Sequence, residues 1–252
     1  MKQLLKLFFI LLLTGISGAV IAQKQFKALI VTTTNGWHHE SLHSGVIAIK
    51  ELAVRNFFDA VLFEDPNSFT DKNLEQFQVI IFLNTTGDIL NAEQQKVMER
   101  FIKSGKGFVG IHSASDTEYD WEWYTKLVGR MFHIHPAVQT AKLQVIDPKF
   151  PGLQGFENGK LWTDEWYEFG EVKSLDLHTI LSVDETTYNA KADWGAKKGQ
   201  GMGKDHPIAW YHNFDGGRSF YTALGHLPTN FSNEAFLNHL YAGILWAATG
   251  KK

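Results

Sequence analysis

The sequence predicts an α/β fold: a doubly wound, mostly parallel sheet that ends in a late β-hairpin. Two observations carry this. Apolar runs alternate with amphipathic segments through the first half of the chain, the pattern of strand–helix–strand crossovers. In the second half, Asp215-Gly216-Gly217 separates two runs rich in aromatic residues, a strong hairpin signal.

Each element has its own local reason. "FKALIVTTTNG" is an apolar, β-branched run that stops at polar residues and Gly36, and reads as a buried first strand. Ser41–Phe57 carries Leu42, Val46, Ile49 and Ala53 at helical spacing. "DAVLFED" follows as a strand, "DKNLEQF" as a short helix and "QVIIFLNT" as a second buried strand. "NAEQQKVMERFIKSG" is an amphipathic helix with Asn91 as N-cap and Gly105 as its stop. "GFVGIH" is the fourth strand of this half. Farther on, "TAKLQVID" and "HTILSVDET" read as strands around the aromatic, acidic stretch "LWTDEWYEFGEV". "PIAWYHNF" and "RSFYTALGH" form the hairpin, and "NEAFLNHLYAGILWAATG" is the last helix. With no repeat or linker, residues 23–252 make one domain.

Composition narrows the function. The 252 residues are 44% hydrophobic and 20% charged, as in a water-soluble domain with a full core. A net charge of -3 without a lysine or arginine cluster excludes nucleic acid as an expected partner. The absence of cysteine removes thiol catalysis, disulfides and cysteine-held metal. Residues 1–22 have the pattern of a secretory signal peptide. Lys2 and Lys6 precede the apolar run Leu7–Leu13, and small residues lead to a cleavage point after Ala22. The expected location is therefore periplasmic or extracellular, with no membrane anchor after cleavage.

In an open parallel sheet, ligands bind beyond the carboxyl ends of the strands. Here those ends supply Trp37, His38 and His39, then Asn84, then His112 and Asp116, and finally His226. Several come from a pool of only 11 histidines, which points to a site. One stretch suggests a protease: His39-Glu40-Ser41-Leu42-His43 matches H-E-x-x-H literally. A zincin carries that motif inside a long helix, whereas Asn35-Gly36 lies just upstream, so the zincin reading is rejected. Gly110-Ile111-His112-Ser113-Ala114 imitates the strand-to-loop elbow of G-x-S-x-G enzymes, with histidine at the nucleophile position.

The chain resembles the ThuA-like (trehalose utilisation) family. The resemblance rests on Gly36-Trp37-His38-His39, on Gly110 through Thr117, and on Gly129-Arg130-Met131-Phe132-His133-Ile134-His135-Pro136. It continues through Asp164-Glu165-Trp166-Tyr167, Pro207 through His212, and Gly217-Arg218 to Leu224-Gly225-His226. It implies a flavodoxin-like core related to class I glutamine amidotransferases, with His112 where those enzymes have cysteine and His226 near their histidine. Glutamine hydrolysis is then not expected, since the nucleophile is missing. The resemblance further implies a role in carbohydrate metabolism, around trehalose and 3-keto-glycosides.

The expectation is an exported enzyme acting on a glycoside or an oxidised (3-keto) sugar. His112, His226 and Glu165 would be catalytic as acids or bases. Trp37, His38, His39, Asp116, His133, His135, Asp164 and Arg218 would contact the substrate. A divalent metal such as zinc could be held by His38, His39, His112 and His226. A carbohydrate-binding protein without catalysis is the competing class, since aromatic rings also stack on sugars. Oligomeric state is open.

Overall fold

Val79–Leu83 and Gly107–Ile111 are five-residue strands buried at every position, and they lie at the middle of the sheet. The computed structural model describes residues 24–251, so the leader predicted over residues 1–22 lies outside the described residues. Chain order runs β1 (Lys27–Val31), α1 (Leu42–Arg55), β2 (Asp59–Leu62), α2 (Asp71–Leu74), β3 (Val79–Leu83), α3 (Ala92–Lys103) and β4 (Gly107–Ile111). It continues with α4 (Glu122–Val128), β5 (Arg130–Ile134), β6 (Gln139–Val145), β7 (Leu161–Asp164), β8 (Glu168–Val172) and β9 (His178–Asp184). The last elements are β10 (Ala192–Asp193), β11 (Lys198–Gly199), β12 (Pro207–Phe214), β13 (Gly217–Thr222) and α5 (Glu234–Thr249).

The main sheet has nine strands in the order β2-β1-β3-β4-β13-β12-β9-β6-β7. Its first five strands are parallel neighbours. From β13 onward the pairing is antiparallel, starting with β12, which meets β13 around Asp215-Gly216 with Phe214 opposite Gly217. The predicted parallel sheet is thus one half of a larger mixed sheet. Edge strand β2 alternates exposed and half-buried positions, whereas the central strands are apolar throughout because both faces are covered.

Neighbouring residues of β13 show the two covers. Ser219 donates its hydroxyl to Leu127 O of α4, while Phe220 packs against His239 and Gly243 of α5 on the other face. Helix α3 begins at Asn91, whose side chain accepts from the backbone of Glu93 and Gln94 in a capping box with Gln94. At α1 the Ser41 hydroxyl does not cap the helix. It donates to Gly225 O and accepts from Asn84, so it joins the end of β3 to the loop after β13. Among the described residues no helix is long and apolar enough to cross a membrane.

A candidate active site at the carboxyl edge of the sheet

His112 follows β4 directly, at φ +50, a region that disfavours any side chain with a Cβ. It opens the 3-10 turn His112–Asp116. Two contacts hold the backbone of this elbow and a third braces one of them. Tyr221 donates its hydroxyl to His112 O, Ser115 donates to Tyr221 Oη, and Tyr124 donates to Ala114 O. The imidazole is fully buried. Its Nδ1 lies 2.7 Å from Ala223 O, which can only accept, so Nδ1 carries the proton. Nε2 then faces Tyr167 Oη at 2.9 Å, His226 Nδ1 at 3.3 Å and Glu165 Oε2 at 3.4 Å.

Glu165 follows β7, and its carboxylate meets three imidazoles. Oε1 lies 3.2 Å from His135 Nδ1; Oε2 lies 3.2 Å from His226 Nδ1 as well as near His112. Burial would raise this carboxyl, but His112 and His226 outweigh it and hold the group well below the usual glutamate range. His226 shows the converse. Burial opposes its charge, yet the Glu165 bond and charge raise it above the ordinary histidine value. His39, beside Ser113 Oγ, is driven down to about 3 by burial and then by His112 and His226, so it is neutral. Burial also lowers His135, against the pull of Glu165.

His39, His112, Glu165 and His226 each offer a ligand atom, all within 4.8 Å of one another, so this buried cluster could hold a metal ion. His112 has the second contact usual for a ligating histidine, its far nitrogen donating to a backbone carbonyl. The cluster opens into a pocket of about 490 Å³ lined by Trp37, His39, Asp116, Phe132, His135, Glu165, Tyr167, Trp194 and His226. Trp37 is 71% exposed and Trp194 47%, although both rings border the cavity. A larger groove of about 910 Å³ between α1 and α5 contains none of these residues.

Of the residues expected in the site, His112, His226, Glu165, His39, Trp37, Asp116 and His135 come together. Four others do not. His38 is exposed, 3.2 Å from Thr34, and belongs to neither the metal-capable cluster nor the pocket wall; Glu165 takes its place beside His39, His112 and His226 in that cluster. His133 sits on β5, where strand alternation turns it away from Phe132, the residue that lines the pocket. Asp164 is fully buried and accepts from the backbones of Glu165, Gly225 and His226 and from Trp162 and Asn230. Burial raises its carboxyl, against those donors and the nearby His112. Its work is to pin the loop that carries His226. Arg218 lies at the far end of β13 and donates to Ala247, Gly105 and Ala248 carbonyls, closing the C-terminus of α5.

Tyr167 and Phe132 were missed. Tyr167 is buried against the His112 ring, 4.5 Å between centroids, and its phenol is pushed up by burial and then by Glu165. Its place two residues after Glu165 in an aromatic run was the available signal.

Two solved structures share the fold over nearly the full length. A ThuA-like protein of Bacteroides uniformis ATCC 8492 is 22% identical with a TM-score of 0.74, covering 94% of this chain and 97% of its own. A ThuA-like protein of Parabacteroides merdae ATCC 43184 is 19% identical with a TM-score of 0.70, covering 90% and 91%. A β-galactosidase of Bacillus circulans sp. alkalophilus matches at 15% identity and a TM-score of 0.51, over 90% of this chain but 31% of its own. At these identities the likeness is one of fold alone. No curated protein matches the chain. The family described as trehalose utilisation matches residues 27–247, nearly the whole described chain, and the protein belongs to this ThuA family.

Proposed function

We propose that this protein is an exported enzyme that acts on a glycoside or an oxidised (3-keto) sugar by acid–base chemistry. The observation that carries the reading is Glu165: one carboxylate, kept ionised, touching His112, His135 and His226 at the base of an aromatic-walled pocket. An ionised carboxylate beside an imidazole whose charge it favours is a base and an acid held ready together. A pocket of this size suits a small molecule, and the Trp37 and Trp194 rings suit the flat face of a pyranose. Membership of a family described as trehalose utilisation supports the same substrate class. The test is incubation of the pure protein with panels of glycosides and 3-keto-glycosides, followed by product analysis. Saturable binding without turnover across both panels would replace this reading with that of a carbohydrate-binding protein.

A second reading concerns a cofactor. His112 Nε2 and His226 Nδ1 lie 3.4 Å and 3.2 Å from the same oxygen of the Glu165 carboxylate, with His39 beside them. Nitrogen and carboxylate donors converging at these distances are a set that suits a divalent cation. A divalent ion such as zinc would be held by His39, His112, Glu165 and His226 and would supply Lewis-acid polarisation of a sugar oxygen. Elemental analysis of protein purified without a histidine tag decides this. Sub-stoichiometric metal, with turnover unchanged by chelator, would leave the acid–base reading alone.

A further inference from the structure

Asp116 closes the turn that His112 opens, and it is one of the residues that line the pocket. Its Oδ1 lies 2.7 Å from Tyr119 Oη, and the same phenol oxygen lies 2.7 Å from Phe132 O. The Phe132 carbonyl can only accept, and a phenol has one hydrogen to give. Tyr119 keeps that hydrogen, because burial and then Asp116 push its phenol far above the ordinary value. If Asp116 were ionised, two acceptors would compete for one hydrogen across two short contacts. If Asp116 is protonated, each contact has its own hydrogen: Asp116 donates to Tyr119, and Tyr119 donates to Phe132. Burial works in the same direction and raises the carboxyl. Against it stand the Tyr119 bond and then the Lys197 ammonium and the His112 and His135 rings that face it. Oδ2 makes no hydrogen bond among the described residues.

We propose that Asp116 is a catalytic residue, the proton donor to the leaving oxygen of the sugar, with Tyr119 as its switching partner. This rests on the reading that the pocket takes a sugar C–O bond. At rest the carboxyl O–H points to Tyr119. A half-turn of the carboxyl brings that O–H to the substrate, while the Tyr119 hydrogen swings from Phe132 O to the other carboxyl oxygen. The C–O bond breaks with its electron pair going to the departing oxygen, which takes the Asp116 proton. Water adds at the sugar carbon, and Glu165 receives the proton that this water loses. One proton is given and one taken, the products are a shortened sugar and an alcohol, and no oxidant is needed. The carboxylate left behind accepts from Tyr119, so it is stabilised as it forms.

The test compares wild type with Asp116→Asn on glycosides of graded leaving groups, from alkyl to dinitrophenyl. Asparagine has the carboxyl's shape and can still bond Tyr119, and thermal melting confirms that the variant folds. Loss of the acid should cost about 10²–10⁴ in turnover on an alkyl glycoside. The dinitrophenyl glycoside, whose leaving group needs no proton, should be cleaved nearly as well as by wild type. An equal loss on both substrates, or no loss on either, overturns the proposal. Tyr119→Phe keeps the acid but removes the donor that stabilises its ionised form. It should therefore move the alkaline limb of the pH profile upward, and an unmoved limb would rule out the switch. Should wild type turn over nothing in either the glycoside or the 3-keto-glycoside panel, the proposed function fails. The Asp116 proposal is then decided by carbon NMR titration of the carboxyl, and ionisation in the ordinary aspartate range overturns it.

Discussion

Glu165 Oε2 lies 3.2 Å from Nδ1 of His226, and the two groups are shifted in opposite directions by one contact. The carboxyl falls below its reference of 4.5 and the imidazole rises above its reference of 6.5, in each case against burial. The Glu165 contribution to stability is present above pH 4.5 and is lost as pH falls through its lower folded value. The His226 contribution is present below pH 6.5 and is lost as pH rises through its higher folded value. Glu165→Gln keeps the shape and removes the charge, so its stability deficit should be greatest between these limits and should shrink above them. Burial would then be opposed only by the more distant Asp164 and Glu40, and proton NMR should show a His226 pKa lower than in wild type. Turnover should fall by about 10²–10⁴. A His226 that titrates as before would dissolve the pair.

His112 can be tested with two substitutions. Its φ of +50 penalises a Cβ, at roughly 1–2 kcal/mol for a residue without local compensation. Both His112→Ala and His112→Gly lose the imidazole and leave Tyr167 and Ala223 O short of a partner, costing about 1–3 kcal/mol. Glycine should nevertheless melt no lower than alanine, the reverse of the usual order, and neither should turn over at more than about 10⁻² of the wild-type rate. Near-normal turnover by folded His112→Gly would remove His112 from the chemistry.

The parallel half of the sheet was legible because burial on both faces leaves continuous apolar runs such as Val79–Leu83. The short antiparallel pairs β5–β8 and β10–β11 were not, since two to five residues of mixed polarity give no period. The same limit applies to the site. Strand ends located His39, His112 and His226, because topology decides what gathers there. Asp164 and Glu165 are chemically equivalent as sequence, and only the loop at Gly225 and His226 separates a clamp from a base. Arg218 was misplaced for a similar reason: its partner Ala247 lies 29 residues away.

Arg218 consequently yields a prediction of stability without function. Its guanidinium satisfies carbonyls at the end of α5 and at Gly105. Arg218→Gln should lower stability by about 1–2 kcal/mol in denaturant titration, by loss of the helix-end contacts. kcat/KM on any active substrate should stay within about twofold. A raised KM with unchanged stability would return Arg218 to the substrate.

His239 offers a stabilising substitution. It is fully buried in α5 between Phe156 and Phe220, and among the described residues neither ring nitrogen has a hydrogen-bond partner. Burial alone drives its pKa to about 3, so it folds neutral. The unfolded chain binds a proton at this residue below pH 6.5 and the folded chain does not until about pH 3, so stability is lost as pH falls through that window. Each such group contributes a slope of about 1.4 kcal/mol per pH unit. His239→Leu fills a similar volume and removes both unpaired atoms. It should raise stability by about 1–3 kcal/mol at neutral pH and by more near pH 4. Urea unfolding at pH 7, 5.5 and 4 measures both effects. If the gain is the same at all three values, His239 does not carry the proton linkage; if stability falls, the two nitrogens have partners.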